Sequence, residues 1–511
     1  MPKHAGRANR RSAKPLARLG AAARVGTVAT AGASPALQRS LARSVSRGLP
    51  AGAAAAVLLG SAALLAGPAA WAVTPLETYF GPGLPLDSYF PQGVPGTTTE
   101  PGVTVRSRVR PEYDTPPIQV GAFEIKPQFD EQAGYDSNVV GGSYDGKGSS
   151  ELQSGGSVAF NSNYSRDNFG ITAGINDTRY FDVPRMSHTD YNVSAGGGLD
   201  IGRDVLYGSV SYLSSYEEPY DIGSSGTSII QLNKPLNFTD TDFRVSYTST
   251  LGRIILTPNV DYQLINFSTG NFTNLPINDI EAFNQTLRDF NVLQGGVVAR
   301  YEFAPQRDAV LVVNGNYDHY VHGQKPGFGI VDSTGATVLA GLDYQLTGAT
   351  TVRALAGYQE RFFSGNNVGN QGAPIGEADV IWNPTGLTTV TAQYARTIED
   401  ATTNSVTGFT YDRLNLVVDH ELYRDLLLQA NGRFEHAIYQ GSSFTQTNFG
   451  GGAGATYLIN RYLQLALSYE FIEHDGSGGT GNIGFLGTLT SINTNGNFGE
   501  HQVLLHLRVG L

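Results

Sequence analysis

The sequence predicts an all-β protein: a transmembrane antiparallel up-and-down β-barrel of about 18 strands, with an N-terminal signal peptide and a Pro-rich strap ahead of it. Three observations predict this. Apolar and polar residues alternate from about residue 118 to Leu511. Short turns alternate with long polar loops along the same stretch. Seven segments place an aromatic residue at one distance from a short turn.

The chain begins with ten basic residues and no acid in its first 48 positions. An apolar run follows, Ala51 to Gly67, and then Ala70-Trp71-Ala72, a small-x-small cleavage site. This order reads as a signal peptide over residues 1–72. The apolar run is too short and too rich in Ala and Gly for a membrane helix. Of the 34 basic residues the leader takes ten, leaving 24 against 45 acids, a net of −21. Nucleic-acid partners are excluded by that balance, because phosphate binding needs basic faces. There is no cysteine, so disulfides and thiol chemistry are excluded too. After the leader no apolar run approaches the roughly twenty residues of a spanning helix. The rest of the chain is then soluble or crosses a membrane with strands.

Residues 73–117 are dense in Pro and Gly; prolines at this density cannot join sheet ladders, and the stretch reads as an extended periplasmic segment. Within it "PLETYF" (Pro75 to Phe80) is echoed by "PLDSYF" (Pro85 to Phe90). The echo is a linker coincidence or a motif by which residues 73–100 meet a periplasmic partner.

Residues 118–511 carry the strand pattern. The seven repeated segments are Arg203–Tyr212, Gly252–Tyr262, Arg307–Tyr317, Ala349–Tyr358, Gly386–Tyr394, Arg424–Phe434 and Asn460–Tyr469. Each starts at a turn signal and ends on an aromatic of the apolar parity. Eight residues of a tilted strand rise roughly 20 Å, close to the ~25 Å apolar band of a membrane barrel. Tyr212, Tyr262, Tyr317, Tyr358, Tyr394, Phe434 and Tyr469 therefore form a candidate aromatic girdle, where rings keep one wet and one dry end. A β-propeller would need four short strands in each such period, where two long ones occur.

Eight short turns, near residues 166–168, 202–204, 251–253, 305–308, 347–349, 383–386, 423–425 and 459–461, alternate with nine longer loops. Seventeen connections give 18 strands, with both barrel ends on the short-turn side. The last stretch, "HQVLLHLRVGL" (His501 to Leu511), keeps strand alternation to its final residue. It is expected to close the barrel against the first strand near Val120. It would also be read by the outer-membrane assembly machinery.

If apolar residues face lipid, Arg244, Asp261, Asp318, Arg353, Arg413, Asp419, Arg433, Glu435, Glu470, His506 and Arg508 face the lumen. Charge rings in a wet pore set ion selectivity; equally, opposite charges pair across strands and hold the wall. No catalytic signature is present, neither G-x-S-x-G nor H-E-x-x-H nor a phosphate loop. In Asp419-His420-Glu421 the acids share one strand face and the histidine points away, so the three cannot converge. The reading is of no enzyme, no catalytic residue, no metal and no cofactor.

The stretch "VRSRVRPEYD" (Val105 to Asp114), with "VGAF" (Val120–Phe123) and "GYDSNV" (Gly134–Val139), resembles the lead-in of the putative β-barrel porin 2 family. That resemblance implies an outer-membrane β-barrel and no particular substrate. It extends diffusely to Leu511. The expected function is passive diffusion of small polar solutes through an outer-membrane pore, exported by the cleaved signal and set in lipid and lipopolysaccharide. Loops 216–238 and 267–285 are the expected constriction. A dedicated export port, for example for an exopolysaccharide, is the alternative; a closed structural or adhesive barrel working through surface loops is another.

Overall fold

Strand alternation is realised residue by residue. Along Arg307–Tyr320 the side chains of Leu311, Val313, Tyr317 and His319 are exposed, while Val310, Val312, Asn314, Asn316, Asp318 and Tyr320 are buried. Exposed apolar side chains on one parity, and buried ones of which half are polar on the other, suit a wall with hydrocarbon outside. The computed structural model describes residues 104–106, 108–141, 146–217, 235–268, 285–323, 331–364, 369–400, 408–441, 443–477 and 497–511. The signal peptide, the PLxxYF echo and the cores of loops 216–238 and 267–285 lie outside these residues.

The strands are β1 (Ile118–Val120), β2 (Phe123–Asp136), β3 (Ser149–Ser162), β4 (Asn168–Tyr180), β5 (His188–Ile201), β6 (Asp204–Glu217), β7 (Leu236–Leu251), β8 (Ile254–Phe267), β9 (Phe290–Ala304) and β10 (Arg307–Tyr320). They continue as β11 (Ser333–Thr347), β12 (Thr350–Phe363), β13 (Gln371–Thr385), β14 (Thr388–Asp400), β15 (Gly408–Tyr423), β16 (Leu426–Tyr439), β17 (Thr445–Leu458), β18 (Leu463–Ser477) and β19 (Phe498–Gly510). From β2 onward each pairs antiparallel with its sequence neighbours. β19 pairs back on β2, Val503 opposite Tyr135 and Val509 opposite Phe129. The result is a closed antiparallel barrel of 18 strands, the expected number, with β1 added as a short hairpin on β2.

The closing strand lands downstream of the expected position. It meets Gln128–Asp136, not the region of Val120, because β1 belongs to a separate hairpin turning at Gly121. The eight short turns fall where expected. Gly202 and Gly252 open theirs with φ +73° and +71°, a conformation only glycine takes without a Cβ penalty.

Strand tilt shows in the register. Tyr317 faces Thr334 on β11, whereas Tyr358 faces Val338 on the same strand, four residues along. Such a stagger belongs to strands tilted against the barrel axis.

Candidate functional site

The inner wall is organised by ion pairs between neighbouring strands. Arg244 on β7 faces Asp261 on β8 in register, with its Nε 2.9 Å from Oδ2, and also contacts Asp242. Asp343 on β11 sits between two guanidinium groups, that of Arg353 at 3.0 Å and that of Arg300. At the seam, Asp130 on β2 accepts from Arg508 Nε at 2.7 Å and pairs with His506 Nε2 at 2.8 Å. Glu435 accepts from Asn448 Nδ2 at 2.8 Å and lies 3.8 Å from Arg433. Cross-strand pairing accounts for these charges. Their exposure differs around the barrel: Arg361 on β12 is 0 % exposed, whereas the side chain of Asp261 is 25 % exposed.

The turn-side mouth is occupied by the strap. In "VRSRVR" the arginines recur at every second position, and the chain is bent here, the Arg108 amide donating to the Thr104 carbonyl at 3.2 Å. Arg106 Nε donates to Asp419 Oδ1 at 2.8 Å. Arg108 NH1 and Arg110 NH2 reach Glu421 Oε2 at 2.8 and 2.7 Å. The Val105 amide donates to Thr389 Oγ1 at 3.0 Å, and the Val105 side chain is buried with Leu427, Leu458 and Tyr113. The chain then turns: the Asp114 amide donates to the Arg110 carbonyl, and the Arg110 amide donates to Asp114 Oδ2 at 2.6 Å. At the rim, Arg424 Nε donates to Glu112 Oε1 at 2.7 Å, which holds the Glu112 carboxyl below its usual range. Burial pushes the Asp114 carboxyl up. Asp419 and Glu421 thus share the inner face as their spacing requires. His420 lies on the other parity and pairs its Nδ1 with Thr388 Oγ1 at 3.0 Å.

The loop-side half is narrowed by two inward pieces. A single helical turn, Gln285–Arg288, follows loop 267–285 and lays Leu287 on a buried inner cluster that includes Phe238, Ile265, Phe267, Phe290 and Tyr320. The guanidinium of Arg288 stacks 3.9 Å over the Phe267 ring, a cation–π contact. Beside it, Asp289 accepts the Phe267 amide at 2.7 Å and lies 3.1 Å from His322; burial pushes its carboxyl up. The second piece is the tip of β14, where Asp400 accepts from Arg361 NH2 at 2.8 Å and Arg361 also binds Asp318.

The candidate lumen residues lie as follows. Arg244 joins Asp261, Arg433 joins Glu435, and His506 and Arg508 share Asp130. Arg353 meets Asp343, and Asp318 meets Arg361. Glu470 stands opposite Gly452 on β17. Among the candidate girdle aromatics, Tyr262, Tyr317, Tyr358, Tyr394, Phe434 and Tyr469 are exposed on the outer wall. Tyr212 differs: it is 8 % exposed, stacked on Tyr191 at 6.2 Å between centroids. Sequence reasoning missed Asp130, Arg300, Asp343, Arg361 and Asp400, whose partners are set by register across strands. The alternate arginines of the strap were a legible signal, obscured by its prolines.

A closed barrel with an apolar outer belt and a charged inner wall has the anatomy of the porin class. The chain belongs to the family described as "Putative beta-barrel porin 2", which it matches over residues 110–483. No curated protein matches it. Among solved structures it is similar to the FrpB iron transporter of Neisseria meningitidis in its apoprotein form, at 8 % identity, covering 76 % of this chain and 81 % of that one, with TM-score 0.40. It is also similar to the outer membrane protein OpdK of Pseudomonas aeruginosa, at 13 % identity over 76 % and 99 % of the two chains, TM-score 0.40. The copper transporter OprC is similar at 9 % identity over 77 % and 84 %, TM-score 0.42.

Proposed function

We propose that the protein is an outer-membrane, porin-like channel through which small polar solutes diffuse passively. The observation that carries this reading is the partly exposed charged wall inside a closed 18-strand barrel, with Asp130, Arg508, Asp261 and Arg433 retaining solvent contact. Solutes pass a wall of both charge signs, narrowed at the turn side by the Arg106–Arg110 strap. The chain acts without catalysis, and export by a signal over residues 1–72 places it in contact with lipid and lipopolysaccharide. Planar-bilayer recording of the purified barrel tests this: discrete conductance steps are expected, and a silent bilayer carrying folded protein overturns the open-pore reading.

The docked strap favours one second reading, a dedicated export port whose mouth opens when a periplasmic partner takes hold of residues 73–100. Deleting those residues distinguishes the two. Loss of export with an intact barrel supports the port; unchanged transport supports the simple pore.

A further inference from the structure

One seam of the wall is incomplete. β13 and β14 pair from the short turn up to Gly376 opposite Arg396 and no further. Above that level Gln371–Ile375 pair with β12 alone. This gap in the ladder is bounded below by the Gly376–Arg396 pair and above by Gln440 Nε2, which donates to the Asn370 carbonyl at 3.1 Å. The five residues between, Gln371 to Ile375, span roughly 17 Å of strand.

The sequence of this stretch suits an edge. Pro374 has no N–H to give a ladder, and such prolines sit on edge strands. Gly372 is bare: a Cβ there would meet the Tyr358 hydroxyl at 2.3 Å. Tyr358, one of the girdle aromatics, stands opposite Pro374. The window therefore lies at the height of the aromatic belt, where acyl chains meet headgroups.

Behind the window the inner wall is apolar. Val298, Val310, Val312, Leu339, Leu355, Ala373 and Ile375, from five successive strands, form one buried cluster. What covers it is Ile398, itself fully buried, from the strand that has left its neighbour. Gln359 takes the place of the lost strand partner: its Oε1 accepts the Ile398 amide at 3.0 Å, and its Nε2 donates to the Ile398 carbonyl at 3.4 Å. Asp400, two residues on, is tied to Arg361. The tip of β14, still paired with β15 through Ile398 opposite Thr410, thus holds one aliphatic side chain on an apolar wall beside the unpaired edge of β13.

We propose that this apolar patch is a binding site for the alkyl or aryl part of an amphipathic small molecule, which displaces Ile398 and leaves sideways between β13 and β14 into the outer leaflet. The proposal rests on the channel reading and adds a solute class and a route. The polar end of such a molecule meets Gln359 and Arg361 on the same face of β12.

A medium-chain fatty acid bearing a terminal diazirine tests it, photolysed with the full-length protein in liposomes and mapped by mass spectrometry. Outward residues such as Leu342 and Val338 label from lipid in any case and mark a folded, inserted barrel. Adducts are also expected at Leu339, Leu355 and Ile375. Ile398→Ala is expected to raise these inner adducts roughly tenfold, a change of about 1.4 kcal/mol in occupancy. Ile398→Trp, which keeps the patch covered, is expected to suppress them, and decides the matter with wild type alone if the alanine variant does not fold. Inner adducts that are absent, or indifferent to both substitutions, overturn the proposal. Adducts at Leu427 and Leu458 without any at Ile375 indicate an axial path and overturn the window. Conductance is read separately: a conducting barrel without inner adducts removes this site and leaves the pore standing, whereas inner adducts in a silent barrel do the reverse.

Discussion

Arg106 and Asp419 stand 313 residues apart in sequence and share a 2.8 Å ion pair inside the barrel mouth. With Arg108 and Arg110 on Glu421, the pair fixes the strap across the turn-side opening. Replacing Arg106, Arg108 and Arg110 together by alanine is expected to free the strap while the barrel stays folded. Single-channel conductance should rise, and the strap should become cleavable by added protease. Unchanged conductance with a cleavable strap would show that the strap does not narrow the path.

Asp130 closes the seam between the first and last barrel strands. Asp130→Asn leaves Arg508 and His506 facing each other without a carboxylate. These groups keep some water contact, so the loss is expected to be modest, about 1–2 kcal/mol. Denaturant unfolding in detergent measures it, and the coupling should vanish when Arg508 is already alanine.

The last three residues are expected to be indispensable. Val509 and Gly510 pair with Phe129 and Gln128, and the Leu511 amide donates to the Pro127 carbonyl at 3.1 Å. Deleting Val509 to Leu511 should abolish membrane insertion, scored by heat-modifiable migration on gels. Leu511→Phe should be tolerated, since Leu511 points outward and is exposed.

The fold around Asp289 is expected to lose stability as pH rises, because its buried carboxyl resists ionisation even though the Phe267 amide favours the charged form. Burial raises the Asp289 carboxyl above its unfolded value, so the folded state binds more protons and loses stability as that proton leaves. The contribution is complete below about pH 4, the unfolded carboxyl range, and is lost as pH passes the raised folded value. Denaturant unfolding in detergent should show stability falling upward from pH 4. In Asp289→Asn that dependence should flatten.

The barrel was legible in the sequence because one signal repeats. Leu311, Val313 and Tyr317 against Asn314, Asn316 and Asp318 spell a strand that is wet on one side, and seventeen connections count the strands. The inner pairs were legible only as a parity: that Arg353 faces inward follows from its neighbours, but that Asp343 meets it depends on a register set by tilt. The bend of β14 was not legible at all. Arg396 to Asp400 continue a plain strand pattern, and only the Gln359 amide and Arg361, from another hairpin, explain why it leaves the wall. The strap failed for a different reason: its composition argued for loose chain, while its partners lay three hundred residues away.

That distance sets an order of assembly. Val105 needs Thr389, Arg106 needs Asp419, and Thr115 Oγ1 donates to the Arg461 carbonyl 346 residues further on. None of these anchors is present until β14 to β18 stand side by side. Closing a loop of that length before the wall exists would cost chain entropy with nothing to offset it. The earliest described residues of the chain are therefore among the last to find their place, and a seated strap marks a barrel whose wall is finished.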